Sequence, residues 1–424
     1  MSVRSASAVR FFFAFIAVLI AVAASAATAT NLVPALAPHG ARALIVGTGL
    51  DAGTMTVTFA SSGGSTPATI VSRSATLIEI VVPAAAVTGA VNVDVSGATI
   101  ASLPFTLAPD TAFVRVTTLV ASDEAHDVLK NPAAVAIITA SGTAVVADTA
   151  HHRVLTVSAA GQVTVLAGSG TPGFADGTGA QAQFKEPAGI AIDETRKIVY
   201  VADTSNNAIR AVTYDGRVST LVGAQAGLKK PLGLAVDSAG TIYVADSGND
   251  SIKAVTPAGA VTTFAGGMLN GFADGAAAQA LFKNPGGVAV SSDGVLFVAD
   301  SDNNRIRKID HGIVSTIAGT GHGGFVDGSS AMAELKQPAG VAVDDAGNVY
   351  VADSGNDAIR KIANGTVTTL AGTGNPGFAD GSLASARFKE PSGIAFAGAI
   401  FVADSGNDAL RIIDPELAIS AVYP

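Results

Sequence analysis

The tripeptide Val-Ala-Asp recurs six times along the chain, and this repetition constrains the fold more than any other feature of the sequence. Successive copies are 43 to 55 residues apart and end at Asp148, Asp203, Asp246, Asp300, Asp353 and Asp404. A second motif, Pro-x-Gly-(Ile/Leu/Val)-Ala or a close variant, precedes each copy and begins at Pro132, Pro187, Pro231, Pro285, Pro338 and Pro391. A proline is tolerated where a strand begins, so each repeat predicts two strands joined by a tight turn.

Two further strands follow in each repeat, as in residues 358–362 and 367–371. Four antiparallel strands in a unit of this length are typical of one blade of a β-propeller. The fourth-strand pattern also occurs at residues 114–120, before any complete repeat. We therefore expect an all-β, six-bladed propeller in which residues 114–120 supply the outer strand of the last blade and remove the exposed edges of an open ring.

The pattern Pro-x-Gly-Ile-Ala-Val-Asp-x-x-Gly-x-(Ile/Val)-Tyr-Val-Ala-Asp-Ser-x-Asn-x-x-Ile-Arg resembles the NHL repeat across residues 114–413. The resemblance implies a propeller that binds proteins, nucleic acids or glycans. A minority of related propellers are lyases or lactonases. The first repeat departs from the pattern, because His151 replaces the usual Asn and no Arg follows Leu155.

The sequence divides into three predicted regions. Residues 1–29 have the character of a signal peptide, with Arg4 and Arg10 before an apolar run of about 14 residues, too short to span a bilayer as a helix. Residues 30–109 predict a small β-sandwich that resembles the immunoglobulin-like IPT/TIG domain, and residues 107–113 are the expected linker. Residues 110–424 form the predicted propeller. Export to the bacterial periplasm, the cell surface or the extracellular space follows from the signal peptide, with no membrane span.

Composition excludes several kinds of chemistry. With no cysteine, the chain has no disulfide, thiol nucleophile or thiolate-held metal. A formal net charge of -9 disfavours nucleic acid as a partner, which leaves a protein or a glycan. We expect a monomer.

One side of the predicted propeller should collect both the turns after Val-Ala-Asp and the connections from each outer strand to the next inner strand; we call this side the loop face. The six aspartates are predicted to be structural turn residues that accept bonds from backbone amides two or three residues on. A lysine lies two residues before each inner strand, at Lys130, Lys185, Lys229, Lys283, Lys336 and Lys389. Either these lysines pair with neighbouring aspartates, or they bind an anionic ligand.

Four of the connections contain Gly-Phe-x-Asp-Gly, at residues 173–177, 271–275, 324–328 and 377–381; we call them insertion loops. Their aromatic residues are Phe174, Phe272, Phe325 and Phe378. The favoured interpretation is that each ring plugs the gap between adjacent blades, and the alternative is that the rings stack on a ligand.

The adjacent pair His151 and His152 is the candidate metal site, although a catalytic zinc needs three protein ligands. No catalytic residues and no cofactor are predicted, with a divalent metal as the open alternative. The sequence thus favours an exported binding or scaffold protein that uses the loop face. A propeller enzyme of the lyase or lactonase type, with a metal near the central channel, and a structural cell-surface protein remain alternatives.

Overall fold

The computed structural model describes residues 115–414, except 123–125 and 268. Between positions 17 and 107 it describes ten strands and, outside the strands, residues 62 and 68. The chain forms two compact units, residues 1–114 with 414–424 and residues 115–413. Among the described residues the only helical segments are short 3₁₀ turns, and none of them is long and apolar enough to cross a membrane.

The first unit contains two five-stranded sheets. One consists of Ala17–Ala23, Ala26–Leu32, Arg42–Gly47, Thr69–Arg73 and Leu77–Val81. The other consists of Ala35–Ala37, Met55–Ser61, Gly64–Pro67, Ala86–Val95 and Ala98–Leu107. Alternate residues of two paired strands are buried, Val57 and Phe59 on one and Val91 and Val93 on the other, as expected for strands with one apolar face. The predicted linker beyond residue 107 and the segment 417–423 lie outside the described residues, and the signal peptide stays a prediction.

The second unit consists of six antiparallel sheets, numbered one to six along the chain. The inner strands are Pro132–Ile138, Pro187–Asp193, Pro231–Val236, Pro285–Val290, Pro338–Val343 and Pro391–Ala397. The second strands are Thr143–Asp148, Ile198–Asp203, Ile242–Asp246, Leu296–Asp300, Val349–Asp353 and Ala399–Asp404. The third strands are Arg153–Val157, Ala208–Thr213, Ser251–Val255, Arg305–Asp310, Ala358–Ala363 and Ala409–Asp414. The outer strands are Val163–Ala167, Arg217–Val222, Val261–Ala265, Ile313–Ala318, Thr366–Ala371 and Arg115–Ala121.

Sheets two, four, five and six carry a fifth strand of two residues beside the outer strand. These short strands are Gly177–Thr178, Gly275–Ala276, Gly328–Ser329 and Gly381–Ser382. Each begins at the last glycine of an insertion loop. A 3₁₀ turn of three residues follows each second strand and places the next residue in the left-handed region, with φ between 50° and 54°. Each insertion loop is thus tied to the outer edge of its own sheet.

The sixth sheet packs against the first. Each inner strand contacts the inner strands of both neighbouring sheets, and Pro391–Ala397 contacts Pro132–Ile138. Val120 and Leu410 of sheet six share one buried apolar cluster with Val135 of sheet one. The outer strand of sheet six is Arg115–Ala121, and it lies beside the third strand of the sixth repeat. The sequence predicted residues 114–120 for this position. The two ends of the second unit are therefore joined through one sheet.

Candidate functional site

The six Val-Ala-Asp aspartates are fully buried, and their hydrogen-bond partners differ from those expected. In every sheet one carboxylate oxygen accepts the backbone N–H of the lysine before the inner strand, at 2.7 or 2.8 Å. The sequence predicted local amides of the turn as donors, but the donor lies 15 to 18 residues earlier in the chain. The aspartates therefore fix the chain that carries the lysines.

Each of the six lysines is held on both sides of its backbone. Its carbonyl oxygen accepts an N–H from the turn after the second strand, at 2.9 to 3.2 Å. Its side chain is exposed, and among the described residues none of the six ammonium groups takes part in an ion pair. The alternative in which each lysine side chain pairs with an aspartate is therefore not what this structure forms.

The residue after each lysine adopts a left-handed conformation, with φ between 46° and 51°, although none is glycine. These residues are Asn131, Glu186, Lys230, Asn284, Gln337 and Glu390. Such backbone persists only where surrounding contacts enforce it. Here the backbone N–H of each residue donates to a side chain at the end of the preceding sheet's turn, at 2.6 to 3.1 Å. For sheet one the preceding sheet is sheet six, since the N–H of Asn131 donates to Asp408. The loop face is thus bonded from sheet to sheet around all six positions.

The two histidines occupy positions that other sheets fill with Asn or Asp. His151 contacts the carboxylates of Asp148 at 2.9 Å and Asp127 at 3.1 Å. In sheet two the equivalent residue, Asn206, donates to Asp203 in the same way. His152 accepts the N–H of Glu186 through Nδ1, as the left-handed residues of the other turns do. No group of three or more potential metal ligands occurs within the described part of the chain. The geometry gives both histidines hydrogen-bonding roles in the turn.

Four fully buried arginines lie behind the loop face, and the sequence reasoning missed them. They are Arg210, Arg307, Arg360 and Arg411 of sheets two, four, five and six. Each guanidinium bonds the buried aspartate of its sheet at 2.6 to 2.8 Å and the insertion-loop aspartate at 2.5 to 2.7 Å. It also donates to one backbone carbonyl of the insertion loop and to one in the segment that leads into the lysine. These arginines therefore fasten the insertion loops to the sheets.

Sheets one and three have neither an insertion loop nor this arginine. Leu155 occupies the position in sheet one, where Arg153 bonds Asp148 instead at 2.7 Å. Lys253 occupies it in sheet three and donates to Thr263 rather than to Asp246. The joint occurrence of an Ile-Arg or Leu-Arg pair and the insertion loop in the same four repeats was the sequence signal that could have revealed the arginines.

The insertion-loop phenylalanines do not form the buried plugs that the sequence favoured. Phe174, Phe272, Phe325 and Phe378 remain 41 to 53% exposed. Each ring lies over the buried guanidinium of its own sheet, with 4.6 to 4.9 Å from the central carbon to the ring centroid, which is cation–π geometry. The buried apolar residue between sheets is instead the one before the lysine, such as Phe184 or Phe282.

Charge is balanced differently at the two sets of aspartates. Burial raises the pKa of five aspartates that end the second strands, against the opposing hydrogen bonds of the lysine N–H and the Asn side chain: Asp203, Asp246, Asp300, Asp353 and Asp404. In the insertion loops burial also disfavours ionisation, but hydrogen bonds from arginine and threonine outweigh it, so the pKa values of Asp176 and Asp327 are lowered. Asp176 and Asp327 are therefore the favourable ionised partners of Arg210 and Arg360.

A cavity of about 170 Å³ lies among the first residues of the six inner strands. Its lining is residues 133–135, 188–190, 232–234, 286–288, 339–341 and 392–394. The only polar side chain among them is Ser392, whose hydroxyl donates to backbone carbonyls of Pro132 and Ala133. The lysines lie three residues before the first lining residue of each strand, so they surround the mouth of this channel on the loop face.

Two segments, residues 282–309 and 335–362, match the model of the NHL repeat. Residues 178–265 match the model described as the SMP-30/Gluconolactonase/LRE-like region, so both matching models fall within the six sheets. NHL repeat-containing protein 2 of Bos taurus is 30% identical over 347 residues, covering 69% of this chain and 48% of that protein. The chain thus spans less than half the length of that curated relative.

Two solved structures share the fold of this chain. An auxiliary nutrient binding protein from Bacteroides ovatus has a TM-score of 0.59 at 18% identity, and one from Bacteroides thetaiotaomicron has a TM-score of 0.57 at 17% identity. Both comparisons cover 93% of this chain and 97% of the other. At these identities the likeness establishes an all-β fold of several antiparallel sheets.

Proposed function

We propose that this is an exported protein in which residues 110–424 form a closed six-bladed NHL propeller. A signal peptide at residues 1–29 and an IPT/TIG-like sandwich at residues 30–109 precede it. The six antiparallel sheets, and the bonds that join the sixth to the first, support the ring. The NHL matches support the blade type.

The propeller acts as a non-catalytic binding module that presents its loop face to a protein or a glycan. One observation carries this proposal: six lysines are fixed by backbone bonds at equivalent positions around one channel mouth, while their ammonium groups are exposed and outside any ion pair among the described residues. Groups held in place before a ligand arrives lose less conformational freedom on binding. The lysine set is therefore better suited to recognition than to stabilising its own sheets.

Two further observations support binding. The half-exposed phenylalanines provide apolar surface on the same face. Two proteins of similar fold are described as auxiliary nutrient binding proteins. The apolar and backbone lining of the described channel offers no cluster of acid and base side chains of the kind that proton transfer requires.

The test is a screen of the full chain on immobilised glycans and peptides, followed by binding measurements with variants. In the loop-face variant all six lysines are changed to Gln. In the control, Lys197→Gln removes a lysine from the turn between the first two strands of sheet two, on the opposite side. We expect a ligand whose affinity falls at least tenfold in the loop-face variant and less than twofold in the control. Ligands that bind both variants equally well would refute the proposal.

A further inference from the structure

We propose that the loop face binds an acidic polysaccharide, a chain of uronic acid units, along sheets four, five and six. This inference rests on the proposed function and names the ligand class for the same face. The observation behind it is a repeated pairing of one exposed aromatic ring with one free ammonium group. We call each pairing a Phe–Lys couplet: Phe272 with Lys283, Phe325 with Lys336, and Phe378 with Lys389.

The insertion loop brings the two members of each couplet together. In sheet four the N–H of Gly271 donates to the carbonyl of Phe282, and Ala273 pairs with Leu281. Phe272 therefore lies opposite the end of the segment that leads into Lys283. The same two connections recur in sheets five and six, so the three couplets share one backbone geometry.

The aromatic member of each couplet is fixed from beneath. The guanidinium of Arg307, Arg360 or Arg411 lies 4.9 Å from the centroid of its ring, and the arginine itself is fully buried. The ring is thus held in place, yet about half of its surface faces solvent. In Phe325 and Phe378 this open surface is a platform on which an apolar ring face can stack, whereas the guanidinium of Arg305 also lies 3.8 Å from the centroid of Phe272.

The couplets form an unbroken series across three neighbouring sheets. Arg305 of sheet four lies 3.8 Å from the centroid of Phe272 and donates to the carbonyl of Thr320, which belongs to the connection entering sheet five. Phe325 in turn lies against Gly374, in the connection entering sheet six. Sheets one and three have the lysine without the ring, so sheet two's pair, Phe174 and Lys185, has no neighbouring couplet.

A uronic acid unit has the matching chemistry, because its sugar ring has an apolar face and carries one carboxylate. Stacking and a single exposed ammonium–carboxylate contact are each weak on their own. A polymer repeats both groups along its length, so successive couplets raise the affinity together. Glu390 directly follows Lys389, and the N–H of Asp302 donates to the carbonyl of Lys283, so the attraction is local to each couplet rather than a product of net charge.

The experiment measures binding of the full chain to polygalacturonate at low salt. The couplet variant is Lys283→Gln with Lys336→Gln, and the control is Lys197→Gln with Lys361→Gln. Both remove two charges, but the two control residues lie outside the set of six loop-face lysines. We expect a loss of at least tenfold in the couplet variant, less than threefold in the control, and at least tenfold weaker binding to fully methyl-esterified polygalacturonate. Phe325→Leu should also weaken binding, with thermal unfolding checked in every variant.

Three results overturn the inference. One is failure of both polygalacturonate and alginate to bind. Another is an equal loss in the couplet variant and the control, which would indicate general charge attraction. The third is tighter binding of poly-L-glutamate with the same lysine dependence, which would assign the face to acidic proteins. If the glycan and peptide screen still yields a ligand that depends on the six lysines, the proposed function stands while this inference fails.

Discussion

Replacing one buried arginine should destabilise the second unit far more than replacing the residue at the same position in sheet three. In Arg360→Met the protein loses bonds of 2.7 Å to Asp353 and 2.6 Å to Asp327, and the bonds to the carbonyls of Val326 and Glu334. Asp353 then remains fully buried without its cation. Removing one partner of a buried ion pair costs about 3 to 5 kcal/mol, and we expect a loss in this range.

Equilibrium urea unfolding followed by circular dichroism measures this loss. Lys253→Met is the matched control, because Lys253 occupies the same position but makes one described bond, to Thr263 at 2.8 Å, and we expect it to cost less than about 1 kcal/mol. Adding Asp353→Asn to Arg360→Met should recover part of the loss, since the buried carboxylate would no longer be charged. If Arg360→Met costs no more than Lys253→Met, the arginines do not fasten the loops as we describe.

Two other predictions concern the inner strands and the tyrosines. Gly189→Ala should prevent normal packing of sheets two and three, because a β-carbon there would lie 2.0 Å from the carbonyl oxygen of Leu232. Gly223→Ala is the control, because its β-carbon would meet nothing closer than 4.0 Å. Equal melting temperatures of the two variants would contradict this prediction. Burial, with a nearby aspartate, raises the pKa of Tyr243 and Tyr350 above the ordinary 10. Their contribution to stability is then complete below about pH 10 and is lost as pH rises through the folded-state pKa, so the unfolding free energy should fall in alkali. Absorbance at 295 nm showing both phenols ionising near pH 10 in the folded protein would refute it.

The sequence was sufficient for the sheets because each repeat carries its own strand and turn signals. The segment at residues 114–120 could be assigned to the last sheet by counting strands, and Arg115–Ala121 lies there. The lysines could be placed near the channel mouth because they precede an inner strand by a fixed two residues. Local spacing along a strand is information that a single sequence contains.

The partners of the side chains could not be obtained in this way. Asp353 bonds the N–H of Lys336, 17 residues earlier, and no local pattern indicates such a bond. Arg360 is followed by Lys361 in its strand and resembles an exposed position, yet it is fully buried, with two carboxylates and two carbonyls around it. Phe325 was predicted to be buried, but it remains partly exposed because its ring covers that arginine from the solvent side.

The central claim is that six sheets close into a ring and bring the lysines to one face. The absence of cysteine allows spin labels to be placed at two chosen sites without background labelling. Pulsed electron spin resonance would compare the distance between labels in two double variants. Lys130→Cys with Lys389→Cys places the labels on the first and last sheets. Lys283→Cys with Lys336→Cys places them on two sheets that are adjacent along the chain. We predict the same mean distance for both pairs. A Lys130–Lys389 distance longer than that between labels on sheets one and four would show that the ring is open and contradict the account.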